Sequence, residues 1–298
     1  MGSNIHRGLI HIALASLLGV FGPIIGTGPL HADVKIAEKT HGNIFIELYG
    51  TISQADADNL ARYADKLLYG AQPQIFLNST GGDADAAIRI GHLIRSMDGA
   101  TYAADRCYGS CALIFIAGVT RFNLGKIGLH RPYLTTLAQA GEPSLPSLLP
   151  KLEAYVHEMG IADDFYQEIV STNPSSMKLY DRKDIEAMVP EKDPTYDELE
   201  TSYEARGYGV DTAEMRRRQA KSDKCDSNIL EELSTCAQAL KWGLSERAYF
   251  KRRGKIAWCD LTEEEKNTLS LEKRKEQRDH PLYQKREACV RSVMLGPQ

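Results

Sequence analysis

The sequence predicts an α/β domain built on a mainly parallel sheet, followed by a small helical segment that carries cysteines. Three observations predict it. From about residue 43 to residue 130, short apolar runs alternate with amphipathic stretches, the pattern of strands joined by crossover helices. Two glycine-bearing junctions, Thr80-Gly81-Gly82-Asp83 and Tyr108-Gly109-Ser110-Cys111, each fall where a strand gives way to a helix. Beyond about residue 210 the chain turns charged and helical in pattern, and it holds Cys225, Cys236, Cys259 and Cys289.

Taken in order, residues 43–50 read as a strand and 53–70 as a helix, with Ser53 as its cap and Gly70 beyond its end. Residues 73–79 form a second strand, 84–97 a helix and 99–105 a third strand. Ser110 then opens an apolar helix, and a short strand over 126–130 ends at His130. Residues 131–150 hold four prolines and read as a loop. Helix returns over 151–172, and 175–190 read as a short extended piece and a short helix. The α/β domain thus covers 42–195, a polar linker 196–210, and a helical cysteine-containing domain 211–298.

At 298 residues, 43% hydrophobic and 26% charged, the chain has ordinary globular composition and length for two domains. Its formal charge of −4 offers no broad basic excess, which argues against a dedicated nucleic-acid binder. The runs MRRRQAK, FKRRGK and EKRKEQR alternate with acids and read as solvated helix faces. Arg7, an apolar stretch over 8–25 and Leu30-His31-Ala32 have the layout of a secretory signal cut after Ala32. The rival is an uncleaved anchor, since a spanning helix needs about 20 residues. Both readings export the chain, to the periplasm if it is bacterial. In such a compartment six cysteines read as disulfides, with three pairings open to the four C-terminal ones. No CxxC or close histidine supports zinc.

Ser110 carries the functional question. A serine at a helix start is commonly a cap. The same place suits a nucleophile, because free N–H groups and the helix dipole favour negative charge there. The Cys111 N–H is then placed to stabilise a tetrahedral intermediate, and a glycine-rich turn at Gly81-Gly82 lets backbone N–H groups approach an oxyanion. A serine hydroxyl needs a base. His130, at a strand end, is better placed than His92 or His157, which fall within helices, and Lys126 is the lysine near the site. Cys107 and Cys111 are four apart, so a bridge bracing Ser110 and a pair of small buried residues both remain open.

The order of these segments resembles the Clp-protease and crotonase superfamily, and specifically the proteolytic subunit of the Clp protease. The resemblance rests on Asn78-Ser79-Thr80-Gly81-Gly82, on Gly109-Ser110-Cys111 with Ala-Leu-Ile-Phe-Ile-Ala-Gly behind it, and on Leu129-His130-Arg131-Pro132. Tyr49-Gly50-Thr51-Ile52 is similar to that family's opening turn. The match spans roughly residues 42–190 and implies stacked ββα units. It also implies Ser110 as nucleophile, His130 as base, and an oxyanion hole from the N–H groups of Gly82 and Cys111.

The chain departs from the family at the third member of its triad. The family's aspartate falls here near Ser176 or Met177, and Asp181, a few residues later, is the nearest acid. The resemblance implies an exported, ATP-independent serine peptidase without cofactor or metal, acting on peptide or protein substrates as a homo-oligomer. Residues 8–25 offer membrane attachment, and nucleic acid is not an expected partner. The rival reading is a catalytically weak or inactive fold that serves as a binding or assembly module.

Overall fold

The computed structural model describes residues 33–39, 43–67, 72–133, 145–226, 230–270 and 274–296. Among them, seven strands form one sheet: β1 (Asp33–Lys39), β2 (Asn43–Ile52), β3 (Gln74–Gly82), β4 (Ala100–Tyr108), β5 (Thr120–Asn123), β6 (Lys126–Leu129) and β7 (Lys178–Tyr180). Their order is β1-β2-β3-β4-β6-β7, with β5 also on β4. The sheet is parallel from β2 to β6, and antiparallel β1 and β7 close its edges. This is the mainly parallel α/β architecture that the alternating pattern predicts. Strand β5 pairs with Ala100–Ala103 and β6 with Arg106–Tyr108, so the two share one edge of β4 in succession. The carboxyl ends of β3, β4 and β6 therefore meet on one side of the sheet, where ligands of open α/β sheets bind.

Three helices, α1 (Gln54–Leu67), α2 (Ala84–Ser96) and α3 (Ser110–Ile116), pack side by side in sequence order. Ser53 starts α1 as expected: its N–H and hydroxyl donate to the buried Asp56 carboxylate at 2.8 and 2.6 Å. Gly70 lies outside the described residues. Asp83 caps α2, accepting the Ala86 N–H at 3.0 Å. Side chains alternate across each strand. Ile46, Leu48, Ile75, Leu77 and Ala103 join these helices in the core. On the other face Phe45, Phe76, Tyr102 and Phe122 form a rank of stacked rings 4.7–6.0 Å apart.

Residues 145–150, expected as loop, begin helix α4 (Leu145–Glu158), which holds Pro150, while 134–144 lie outside the described residues. Helix α5 (Asp163–Ser171) follows, after Gly160 at φ +69° breaks the chain direction. Tyr155 of α4 is buried and donates to the Leu113 carbonyl in α3 at 2.8 Å. Only glycine fits beneath it, since a Cβ on Gly91 would fall 1.8 Å from its hydroxyl. The extended piece and short helix expected after residue 175 are β7 and α6 (Arg182–Glu186).

A buried ion cluster ends this part of the chain. The Arg121 side chain is fully buried; it donates to the carbonyls of Ile116, Met159 and Pro190 and lies 3.6 Å from Asp193. Arg95 reaches the same carboxylate at 3.0 Å. Burial and the nearby Arg95 push the Arg121 guanidinium down to about 10, against the pull of Asp193. Asp193 also caps α7 (Pro194–Tyr208) through the Tyr196 N–H at 2.9 Å.

Helix α7 occupies most of the stretch 196–210 that reads in sequence as a polar linker. The stretch is rich in charge because it is a half-exposed helix, with Pro194 in its first turn and Gly209 closing it at φ +70°. Helices α8 (Thr212–Ser222), α9 (Leu230–Trp242), α10 (Glu246–Arg253), α11 (Glu263–Ser270), α12 (Arg274–Asp279) and α13 (Pro281–Leu295) follow, with a short 3₁₀ turn over Ile256–Cys259. Disulfides Cys225–Cys236 and Cys259–Cys289 bind them together. So does Arg206 of α7, which pairs with Asp279 at 2.8 Å and Glu287 at 3.3 Å. The described residues form one compact unit. Among them no helix is long and apolar enough to cross a membrane, and the apolar segment 8–25 lies outside them.

Candidate active site

Ser110 is the first residue of α3, and it is not the helix cap. The capping position is Gly109, which has no side chain to offer. The Ser110 Oγ is buried and has no hydrogen-bond partner among the described residues. A buried hydroxyl left unpaired is costly and calls for a reason. The Cys111 N–H lies in the same first turn, where no intrahelical carbonyl is available to it.

The turn that carries Ser110 is built from glycines. Gly109 adopts φ +55° and ψ −123°, a conformation that side chains disfavour. Its N–H donates to the Gly128 carbonyl at 2.8 Å, which fastens the turn to β6. Gly81 packs on the other side: a Cβ there would fall 2.8 Å from the Tyr108 carbonyl oxygen and 3.3 Å from the Ser110 nitrogen. Gly82, at φ +148°, lies instead against Ile52, whose oxygen would be 2.2 Å from an added Cβ. The buried Ser79 fixes this bend, accepting the Gly81 N–H at 3.0 Å and donating to the Gly50 carbonyl at 2.5 Å. Gly81 and Gly109 thus shape the turn around Ser110, and their signal in the sequence is glycine beside each strand end.

Cys107 and Cys111 form a disulfide with Cα atoms 5.0 Å apart, and both are fully buried. Of the two readings left open by spacing, the bridge is the one present. Cys107 belongs to β4, paired with Ser79 and Ile127, and Cys111 to the first turn of α3. The bond therefore closes a small loop around Tyr108, Gly109 and Ser110.

His130 reaches the site from the end of β6. Its Nε2 lies against Gly109, only 3.0 Å from where a Cβ on that glycine would stand. No hydrogen bond joins it to Ser110 Oγ in this structure; such contacts often tighten only when substrate binds. The other ring nitrogen, Nδ1, is 3.0 Å from the Arg131 carbonyl. A carbonyl only accepts, so this bond puts the proton on Nδ1 and leaves Nε2 as the basic nitrogen. The Arg131 N–H in turn donates to the Thr172 carbonyl at 3.0 Å, which holds the segment in place.

Asp181 is engaged elsewhere. Its carboxylate accepts the Asp184 N–H at 3.1 Å as the cap of α6, and that bond holds its pKa below the ordinary value. The β6–β7 register pairs Leu129 with Lys178 and Ile127 with Tyr180, so the next pair outward sets Met177 opposite His130. Asp181 falls beside Lys126, about 13 Å of strand from the histidine. An acid that follows a strand and precedes a short helix is a capping residue, and the spacing that nominated it did not separate the two roles. His92 and His157 pair with Glu158 and Asp163 on exposed helix surfaces. Among the described residues no cluster of His, Cys, Asp or Glu is arranged to hold a metal.

No family model and no curated protein matches the sequence. Solved structures similar to the chain include a point variant of ClpP1 from Listeria monocytogenes, at 17% identity, covering 48% of this chain and 85% of that one, with a TM-score of 0.39. A serine-to-alanine variant of the 1510-N membrane-bound stomatin-specific protease is similar at 17% identity, covering 52% and 82% of the two chains, with a TM-score of 0.38.

Proposed function

We propose that this chain is a serine hydrolase that cleaves peptide bonds through an acyl-enzyme on Ser110. The observation that carries the reading is the buried, unpartnered Ser110 hydroxyl at the start of α3, beside a histidine whose Nε2 is left free to act as base. Ser110 Oγ attacks the scissile carbonyl carbon and gives its proton to His130 Nε2. The oxyanion is held by the Cys111 N–H and by the N–H of Gly82, the pair that the motif resemblance implies. The imidazolium returns the proton to the leaving amine, and water activated by the same nitrogen releases the acyl group.

The Arg131 carbonyl stands where a triad aspartate would orient the ring. A neutral carbonyl fixes the tautomer without stabilising the imidazolium as a carboxylate does, so turnover slower than a full triad's is expected. Peptide substrates and self-association enter from the resemblance. Export is supported by three disulfides among the described residues, which are compatible with an oxidising compartment.

The test is cleavage of denatured casein, followed by mass spectrometry, for the wild type and Ser110→Ala under oxidising conditions. New peptide termini that appear only with the wild type support the proposal. Equal cleavage, or none from either folded protein, refutes peptide hydrolysis and favours the non-catalytic module.

A further inference from the structure

The geometry points to a membrane-facing surface on α10 and the turn after it, recognising anionic lipid headgroups. Residues 247–255 hold five lysines and arginines and no acid. Gly254 and Lys255 keep right-handed helical dihedrals, so the backbone continues from α10 into the 3₁₀ turn over Ile256–Cys259. Along this continuous helix the exposed positions include Arg247, Phe250, Lys251, Lys255 and Trp258, at helical spacings of three and four. They form one stripe on the order of 16 Å long.

Phe250 is 58% exposed and Trp258 79%, the two most exposed large apolar side chains among the described residues. The backbone behind the stripe is anchored at two points. Cys259, next to Trp258, is buried and bridged to Cys289 of α13. Arg252, on the opposite side of α10, donates to the Met294 carbonyl. The Arg253 guanidinium stacks 4.2 Å from the centre of the Phe250 ring.

Lysine and arginine interleaved with tryptophan and phenylalanine on one helix face is the composition of a helix lying in a bilayer interface. Charge complementarity fixes the partner as anionic, and two apolar rings on a straight stripe fit a flat, partly apolar surface. A nucleic acid fits less well, since on this stripe apolar rings interrupt the basic side chains and leave no continuous basic track. The run FKRRGK is therefore more than a solvated face. This inference stands apart from the hydrolase reading and survives its failure.

The chain has two tryptophans, and Trp242 is buried. The test uses the full-length Trp242→Phe variant, in which Trp258 is the only tryptophan, with fluorescence excited selectively from tryptophan. Vesicles of phosphatidylglycerol with phosphatidylethanolamine, or of phosphatidylcholine alone, carry brominated acyl chains. The expected result is a blue shift and quenching of Trp258 on the anionic vesicles, absent on phosphatidylcholine. Lys251→Ala with Lys255→Ala should remove it, since losing two lysines weakens such attraction about 30-fold. Residues 1–32 hold no tryptophan, so attachment through that segment alone leaves Trp258 unquenched. Should Trp242→Phe fail to fold, the difference between wild type and Trp258→Ala supplies the same signal. Unquenched Trp258 on anionic vesicles, or equal quenching on both kinds, overturns the inference. A response to a single-stranded oligonucleotide with none to vesicles assigns the face to nucleic acid and also overturns it.

Discussion

Replacing Gly109 with alanine tests the architecture of the site at its narrowest point. At φ +55° and ψ −123° an alanine carries a backbone strain of roughly 1–3 kcal/mol. Its Cβ would also stand 3.0 Å from His130 Nε2, inside the ~3.5 Å of ordinary carbon contact, so either the imidazole or the turn must move. At about 2–4 °C per kcal/mol the melting midpoint should fall by roughly 2–12 °C. Reaction at Ser110 should fall much further than stability, because the displaced group is the proposed base. Gly254→Ala is the control: Gly254 has a helical φ and nothing within 4 Å of an added Cβ, so it should be neutral or stabilising. Differential scanning calorimetry gives the melt, and an activity-based phosphonate probe gives the rate at Ser110. A Gly109→Ala variant that melts and reacts like the wild type would refute the close approach of His130 to this turn.

Three further expectations concern the supports of the site. Cys107→Ser with Cys111→Ser opens a loop of about five residues, so the chain-entropy cost is only about 2 kcal/mol. Reaction at Ser110 should nonetheless drop beyond that loss, which denaturant melts and probe kinetics separate. Gly91→Ala should destabilise the protein by a few kcal/mol because the Tyr155 hydroxyl occupies the space, and adding Tyr155→Phe should restore part of it in a double-mutant cycle. At Asp193, burial opposes the charge, but the Tyr196 N–H, Arg95 and Arg121 outweigh it and hold the pKa below its ordinary value. Its stabilisation is therefore present above the unfolded pKa near 4 and lost as pH falls through the folded one. Asp193→Asn should cost roughly 3–5 kcal/mol at pH 7 by stranding the buried Arg121 charge, and should flatten the acid limb of a melt-versus-pH curve.

Strands β2, β3, β4 and β6 were legible because each is an apolar run bounded by glycine or a capping residue. Strand β1 was not, since Asp33-Val34-Lys35-Ile36-Ala37-Glu38-Lys39 holds neither a continuous apolar run nor a strict alternation, and it is placed by pairing antiparallel with β2. Strand β5 is four residues long and exists because Ala100–Ala103 of β4 offers an edge. The stretch 196–210 read as a linker because it is rich in charge, and those charges are half-buried in ion pairs that its own sequence does not show; its anchors, Asp193 and Arg206, reach Arg95 and Asp279, 98 and 73 positions away in sequence. In the candidate site, the places of Ser110 at a helix start and His130 at a strand end were legible. The Arg131 carbonyl was invisible, because a backbone atom leaves no residue-type signal. Asp181 was chosen by residue type and proximity in sequence, and strand register overrules both.

The central claim is that His130 activates Ser110, and reaction of the folded, oxidised chain with a fluorophosphonate, mapped by mass spectrometry, tests it most directly. The account predicts one adduct, on Ser110, absent in Ser110→Ala and lost in His130→Ala, while Asp181→Asn labels at the wild-type rate. No adduct on a folded protein, or an adduct that persists without His130, would contradict it.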